Sequence, residues 1–124
     1  MYTVKVRQSI MIAHSLAHPF FGPAQNMHGA TYVVDVIFKS KTIDAHNVVI
    51  DIGKAKAITS KVLEKLNYKN LDELPQFTGQ LTTTEFLAKY IHDEIKEEVS
   101  LFFKGTINVC LGETHDAWAS YIGS

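Results

Sequence analysis

The spacing of the apolar residues constrains the fold most, and it changes part-way along the chain. In the first segment, TVKVRQSIMI, apolar and polar side chains alternate. A period of two is typical of a strand with one buried face. Two further segments, TYVVDVIFK at 31–39 and NVVIDI at 47–52, are rich in aromatic or β-branched residues and are also predicted to be strands. The N-terminal part therefore predicts three strands, joined by a loop and a turn into an antiparallel meander.

After residue 52 the apolar residues recur at intervals of three and four, which predicts an amphipathic helix over 53–66. Asp51 stands at its start, where a carboxylate stabilises the free backbone amides. Thr82 and Glu85 have the spacing of a capping box, so a second helix is predicted to begin near Thr82. Its apolar stripe consists of Leu87, Ile91, Ile95 and Val99.

The C-terminal segments at 106–113 and 117–122 alternate again and predict two further strands. Strands and helices are thus segregated along the chain, which is typical of an α+β fold with two helices on one face of an antiparallel sheet. The 124 residues contain no internal repeat and are predicted to form a single domain, 1–124.

Composition limits the partners and the compartment. Twelve basic and thirteen acidic side chains give a formal net charge of −1, without the clustered positive charge that nucleic acids or anionic membranes require. We therefore expect neither partner, and no apolar run approaches the roughly 20 residues of a membrane-spanning helix. A single cysteine, Cys110, permits no intramolecular disulfide, and the N-terminus has no signal-peptide pattern. These features predict a cytoplasmic protein.

Two of the six histidines stand near the ends of neighbouring predicted strands. His14 continues the face of Ile10 and Ile12, and His28 precedes the second strand with the same parity. They could meet at one metal ion, for which imidazole is a suitable ligand, or they could simply be hydrogen-bonded at a loop mouth. His92 lies beside two carboxylates in the second helix and is expected on a solvated face.

Six segments of the chain, in order, match one family pattern. They are IAHSL at 12–16, MHGATY at 27–32, NVVIDIGKAK at 47–56, LNYKNLDELP at 66–75, TTTEFLAKYI at 82–91 and GETHDAWASY at 112–121. Together they resemble the family of 6-pyruvoyl-tetrahydropterin synthase and 6-carboxytetrahydropterin synthase over nearly the whole chain. The resemblance implies the tunnelling fold, in which subunits join their sheets into a barrel with pterin pockets between neighbours. It also implies a homo-oligomer, a hexamer as in the family.

The zinc ligands that the resemblance implies are only partly present. The family binds zinc through the histidine of an A-H-x-L pattern and both histidines of H-G-H. His14 and His28 match the first two positions, but Ala30 stands at the third. Residues 28 and 30 of a strand share one face, so the alanine leaves a gap in the ligand set. His18, in the adjacent loop, is the nearest candidate to fill it, and zinc as a cofactor stays open.

The proton-transfer residues that the resemblance implies are also replaced. The family's cysteine position, four residues before H-G-H, is Ala24, and its aspartate–histidine pair is Asn67 and Tyr68. An amide cannot take up a proton as a carboxylate does, and a phenol is a much weaker acid than an imidazolium. Each positioned acid or base contributes about 10²–10⁴-fold in rate. We therefore expect the family's ordinary elimination to be absent from this degenerate member.

The position that binds the pterin is retained. Glu113 matches the family's glutamate that binds the amino-pyrimidine edge, where a carboxylate accepts two parallel N–H bonds. Thr114 follows it, as in the family, so both are predicted substrate-binding residues. His115 is a candidate replacement acid or base, because imidazole titrates near neutrality, or else an exposed turn residue. Cys110 has the opposite strand parity from Glu113 and is predicted to be a buried structural thiol.

Three functional hypotheses follow. The first is a protein that binds a pterin or similar purine-like ring through Glu113 without the standard chemistry. The second is a zinc-dependent lyase acting on a dihydropterin, such as one like dihydroneopterin triphosphate, with His14, His28 and His18 in a rearranged site. The third is a purely structural oligomer. The replaced proton-transfer residues favour the first hypothesis, whereas the retained histidines keep the second open.

Overall fold

A computed structural model describes all 124 residues. The strands are β1 (Tyr2–His14), β2 (His28–Ser40), β3 (Lys69–Asn70), β4 (Thr106–Thr114) and β5 (Ala117–Gly123). The α-helices are α1 (Ile52–Leu63) and α2 (Thr84–Val99). Three short 3₁₀ helices span Pro19–Gln25, Leu71–Glu73 and Pro75–Phe77.

The five strands form one sheet in the order β3-β1-β2-β4-β5. All neighbouring pairs are antiparallel except β1 with β3, which run parallel over two residues. Both α-helices cover the same face, where α1 packs against β1, and α2 against β4 and β5. This arrangement confirms the predicted α+β class. Neither helix is long and apolar enough to cross a lipid bilayer.

The prediction of a strand at 47–52 was wrong. This segment forms turns and bends, and Asn47 has a left-handed backbone with a φ of 63°. The Asp44 carboxylate accepts hydrogen bonds from the backbone amides of His46 and Val48, which stabilises the loop. Ile50 is buried in the core. The apolar run therefore reflects the burial of a loop, and the fifth strand is the short β3 instead.

The two helix starts follow capping chemistry, with one correction. Asp51 caps α1 as predicted, because its carboxylate accepts a hydrogen bond from the Lys54 amide at 2.7 Å. The cap of α2 is Thr83 and not Thr82, since the Thr83 hydroxyl accepts from the Phe86 amide at 3.2 Å. In a run of three threonines the pattern alone could not fix the cap to a single residue.

The prediction that His92 lies on a solvated face was also wrong. Only 2% of this residue is exposed, and its ring packs edge-to-face on Tyr121 at a centroid distance of 4.7 Å. Position 92 is four residues after Ala88 and three before Ile95, so it belongs to the buried stripe of α2. The charged neighbours of His92 in the sequence gave the wrong indication of its environment.

The other face of the sheet carries no helix and combines charged side chains with apolar ones such as Met11, Trp118 and Ile122. Arg7 binds the Asp35 carboxylate through two hydrogen bonds of 2.6 and 2.9 Å. These bonds hold the pKa of Asp35 below its usual value, although burial opposes the shift. Arg7 also lies over the Trp118 ring at 5.9 Å. The apolar core therefore lies entirely between the sheet and the two helices.

Candidate functional site

Two histidines meet where β1 ends and β2 begins. The register of the two strands places His14 directly opposite His28. Their ring centroids are 4.6 Å apart, with an angle of 64° between the rings. His14 is 2% exposed, whereas His28 is half-buried. The strand parity in the sequence thus correctly indicated that these two side chains lie together.

The hydrogen bonds of this pair leave one nitrogen free on each ring. His28 Nδ1 lies 2.8 Å from the Asn26 carbonyl oxygen, which can only accept, so Nδ1 carries the hydrogen. In the neutral ring, Nε2 then keeps its lone pair. His14 Nδ1 lies 2.9 Å from the Thr82 hydroxyl, and its Nε2 makes no hydrogen bond. Both rings can therefore present Nε2 to a ligand.

The surroundings of His14 favour a neutral ring. Burial is the main cause that lowers the pKa of His14, and the neighbouring His28 lowers it further. The carboxylates of Asp72 and Glu113 act in the opposite direction without reversing the shift. Asp72 is itself fixed by the backbone amide and the hydroxyl of Ser15, at 3.1 and 2.5 Å. Neutral imidazole is the form that binds metal ions.

A third protein ligand does not lie beside this pair. His18 is exposed, and its Nδ1 accepts a hydrogen bond from the Phe20 amide at the start of the 3₁₀ helix. Ala30 pairs with Ile12 one step along the same strand face as His28. No group of three His, Cys, Asp or Glu side chains is arranged to hold a metal ion. A role for His14, His28 and His18 as metal ligands stays a prediction.

Glu113 lies at an irregular point of β4. The pairing of β4 with β5 shifts between Gly112 and Thr114, so Glu113 has no cross-strand partner. Its carboxylate accepts a hydrogen bond from the hydroxyl of Thr84, the first residue of α2, at 3.3 Å. No lysine or arginine forms a salt bridge with it. Most of its hydrogen-bonding capacity is therefore free.

A cleft of about 330 Å³ on the helix-free face of the sheet is lined in part by residue Glu113. The Glu113 carboxylate itself lies on the α2 side, where its charge acts on His14 and Tyr32. The cleft is also lined by Arg7, Thr31, Thr114, His115 and Trp118, among others. The Trp118 ring lies against Gly112, where an added Cβ would come within 2.7 Å of the ring. The predicted residues Glu113, Thr114 and His115 thus share one cleft, while the histidine pair lies outside it.

Thr114 and His115, both predicted site residues, differ in whether a hydrogen bond orders their side chains. The Thr114 hydroxyl donates to the Asp116 carboxylate at 3.0 Å, which orders the hairpin turn. His115 is exposed in that turn and its ring makes no hydrogen bond. Its carbonyl oxygen accepts weakly from the Trp118 indole at 3.4 Å. Trp118 was not anticipated as a site residue, since its place depends on the hairpin geometry.

Two threonines and a tyrosine that lie near the site were also not identified from the sequence. Thr82 contacts His14, Thr84 contacts Glu113, and Tyr32 is buried beside them. Burial raises the pKa of Tyr32, so its phenol stays protonated over the neutral range. The TTTE run was the available signal, because alternate threonines at a helix start can point into a site while the middle one caps the helix.

Comparison with known proteins identifies the family. The family model "6-pyruvoyl tetrahydropterin synthase" matches residues 3–124. The chain belongs to the 6-pyruvoyl tetrahydropterin synthase family. It is similar to the 6-pyruvoyl tetrahydrobiopterin synthase of Dictyostelium discoideum, with 31% identity over 105 residues that cover 83% of this chain and 76% of the relative. The human enzyme is 27% identical over 107 residues, covering 76% and 74%.

Solved structures support the same conclusion about the fold. The Caenorhabditis elegans 6-pyruvoyl tetrahydropterin synthase superposes with a TM-score of 0.86 at 27% identity, covering 99% of this chain and 96% of that one. The Plasmodium falciparum protein gives a TM-score of 0.81, with 98% and 97% coverage. At 20% identity the second likeness supports the fold alone. The resemblance predicted from the six sequence segments is therefore confirmed for family and fold.

The positions that the resemblance matches to the family's proton-transfer residues are Ala24, Asn67 and Tyr68. The Asn67 side chain accepts a hydrogen bond from the Met11 amide at 2.9 Å, which is a structural role. Tyr68 is 80% exposed and has a left-handed backbone with a φ of 60°. Ala24 lies in the first 3₁₀ helix, and Cys110 is half-buried on the helix-free face. Cys110 thus faces away from the α2 side as expected, but it is less buried than predicted.

Proposed function

We propose that this member of the 6-pyruvoyl tetrahydropterin synthase family binds a pterin, or a similar purine-like ring, through Glu113. The observation that carries this proposal is the Glu113 carboxylate, which forms no salt bridge and is positioned by the Thr84 hydroxyl at the start of α2. A carboxylate accepts two parallel N–H bonds from an amino-pyrimidine edge, and such charge-assisted bonds are strong. Thr114, the next residue of β4, is proposed to add a polar contact beside it.

Binding without the ordinary elimination accounts best for the rest of the site. Ala24 has no titratable side chain, and the Asn67 side chain is committed to the backbone of β1. Tyr68 offers a phenol, which is a poor proton donor near neutrality. The remaining candidate acid or base is His115, which adjoins Glu113 in the cleft. The proposal therefore assigns ring recognition to this chain and leaves out the synthase reaction.

The test of this proposal is a titration with neopterin, followed by its fluorescence. Glu113→Gln should weaken binding by about 10-fold or more, because a hydrogen bond to a charged group contributes about 1.5–3 kcal/mol. The matched control is Glu97→Gln, since Glu97 is exposed on α2 and forms no salt bridge. Equal affinities for wild type and Glu113→Gln would contradict the proposal.

A second candidate function is a zinc-dependent lyase that acts on a dihydropterin. It is favoured by the free Nε2 atoms of His14 and His28, whose other nitrogens are held by Thr82 and Asn26. A catalytic zinc ion normally has three protein ligands and one open position, where it activates water or polarises a carbonyl. The residues present supply two ligands, so they do not complete such a site within one chain.

Zinc analysis distinguishes the two candidates. The protein is purified without chelator, and zinc per subunit is measured for wild type and His14→Ala. About one ion per subunit, lost in the variant, would support the lyase and justify an assay with dihydroneopterin triphosphate. Absence of zinc from both proteins would count against the lyase. If zinc and neopterin both fail to bind, the purely structural oligomer becomes the better account.

Assembly into a homo-oligomer forms part of the proposal. The sheet is open, and β5 is an edge strand with one side unpaired. Exposed edges of this kind favour pairing with another chain, and closed symmetric assemblies remove them. A hexamer, as implied by the family, is expected in sedimentation velocity. A strictly monomeric species would contradict this part of the proposal.

A further inference from the structure

The end of the sheet opposite the histidine pair contains a cavity of about 460 Å³. It lies between the end of β2, the following loop at 40–49 and the segment 102–106 that leads into β4. We call it the lysine-rimmed cavity, because Lys39, Lys41 and Lys104 line it. Its volume falls in the range of about 300–1,000 Å³ that is usual for small-molecule sites.

The lysines around this cavity form no salt bridges, and Asp44 is the only acidic residue among its lining residues. Lys54, which lies over the Phe102 ring at 4.3 Å, forms no salt bridge either. Elsewhere in the chain Lys5, Lys61, Lys65 and Lys89 pair with carboxylates, whereas Lys56, Lys69 and Lys96 do not. Four unpaired lysines at one end thus give a local positive field in a chain of net charge −1.

The one carboxylate that lines the cavity is already in use. Asp44 accepts hydrogen bonds from the backbone amides of His46 and Val48 at 2.8 and 3.3 Å. Lys104 donates to the carbonyl oxygen of Ser100 near the end of α2, which fixes its position at the rim. An ammonium group retains two further N–H donors after one such bond. The lysines can therefore bind an external anion.

Beside the lysines the cavity has an exposed apolar wall. Phe102 is 46% exposed and Val48 is 36% exposed, and both line the cavity. The backbone below is closely packed, because a side chain at Gly105 would collide with the Lys39 carbonyl oxygen and the Phe103 ring. The cavity is therefore closely packed at Gly105, and its lining combines cationic groups with exposed apolar carbon.

We propose that the lysine-rimmed cavity binds a small amphipathic organic anion. Its phosphate or carboxylate group would contact Lys39, Lys41 and Lys104, and its apolar body would pack against Val48 and Phe102. Lys54, which lies over the Phe102 ring, would add a further attraction for the anion. Charge complementarity and the volume of the cavity select this class of ligand over a neutral one. The site lies at the other end of the sheet from Glu113, so the proposal does not depend on pterin binding.

The test uses 1-naphthyl phosphate as the probe in isothermal titration calorimetry. It should bind saturably and more tightly than inorganic phosphate or 1-naphthol, each of which supplies one half of the ligand. Lys41→Gln and Lys54→Gln should each weaken binding by about two- to fivefold, as expected for partly exposed charges. Lys41→Gln combined with Lys104→Gln should weaken it by about 10-fold, since separate sites add.

Lys56→Gln is the matched control, because it removes the same charge from the other side of α1, two residues from Lys54. It should leave the affinity unchanged, and so should Glu113→Gln. Absence of saturable binding up to about 1 mM probe would overturn the proposal. Equal losses in Lys54→Gln and Lys56→Gln, or competition between the probe and neopterin, would also overturn it. A changed sedimentation coefficient in the double variant, without probe binding, would identify this surface as a subunit contact and contradict the proposal.

Discussion

His14 and His92 are equally buried, at 2% exposure each, but their nitrogens are used differently. His92 Nδ1 faces the Asp93 carboxylate at 2.9 Å, and its Nε2 faces the Gly123 carbonyl oxygen at 3.1 Å. His14 binds one hydroxyl through Nδ1 and leaves Nε2 without a hydrogen bond. The comparison separates a histidine that holds the fold together from one that retains the capacity to bind a ligand.

The hydrogen bond from His92 to Gly123 joins α2 to the edge strand β5. Both partners of His92 accept hydrogen bonds, so each ring nitrogen has an acceptor within hydrogen-bond distance. The pKa of Asp93 lies below its usual value, because hydrogen bonds from Lys89 and His92 outweigh the opposing effect of burial. This cluster therefore stabilises the C-terminal strand, which has no other partner on its outer edge.

The largest expected effect is on the structural histidine. His92→Ala should lower the free energy of unfolding by about 3 kcal/mol, because it removes a buried ring from Tyr121 and leaves the Gly123 carbonyl without its donor. Urea denaturation measures this change. His46→Ala is the control, since His46 is exposed in the loop before α1 and should change stability by less than about 0.5 kcal/mol. A loss below about 1 kcal/mol for His92→Ala would contradict the structural role that distinguishes His92 from His14.

The second prediction is that, at the histidine pair, a substitution affects zinc binding more than stability. His28 is half-buried and makes one hydrogen bond, to the Asn26 carbonyl. His28→Ala should therefore change metal-free stability by about 1 kcal/mol or less, while His92→Ala leaves zinc affinity unaltered. If the pair binds zinc, His28→Ala should abolish that binding in an equilibrium competition with a chromogenic chelator. Equal zinc affinities of His28→Ala and wild type would show that this pair is not the ligand set.

The contrast between the two histidines also shows how far the sequence could predict this molecule. Periodicity located every long strand and both helices, because each has one face against a single core. It failed at 47–52, where the Asp44 turn buries an apolar run without strand pairing. It failed again for His92, because the buried stripe of α2 is wider than its four aliphatic residues.

The site was predictable only where strand register determines it. His14 and His28 could be placed together because residues of equal parity on paired strands share a face. The approach of Thr84 to Glu113 depends on how the start of α2 meets the irregular point in β4. The position of Trp118 over Gly112 depends on the geometry of the hairpin. Such tertiary contacts have no short-range signal in the sequence.

The third prediction tests how His14 is held. Thr82→Val keeps the shape of the side chain but removes the hydroxyl that contacts His14 Nδ1. Stability should fall by about 1 kcal/mol, and any zinc affinity by about 10-fold, because a ligand histidine is oriented by the bond at its other nitrogen. Thr83→Val should cost a similar stability through the lost cap of α2 but spare zinc affinity. Equal effects of both variants on zinc would contradict the role of Thr82.

The smallest effect should be the pH dependence that His14 contributes. Burial and the neighbouring His28 lower its pKa in the folded state below the usual value of 6.5, despite the opposing charges of Asp72 and Glu113. As the pH falls below 6.5, the unfolded chain takes up a proton at this position before the folded protein does. The stability that the neutral ring provides is thus fully present above pH 6.5 and is lost as the pH falls through the folded pKa. His14→Asn should therefore lose less stability than wild type between pH 7 and pH 5 in urea denaturation. Parallel profiles of the two proteins would show that His14 does not have a lowered pKa, and the argument that it presents a neutral ring to a ligand would fail.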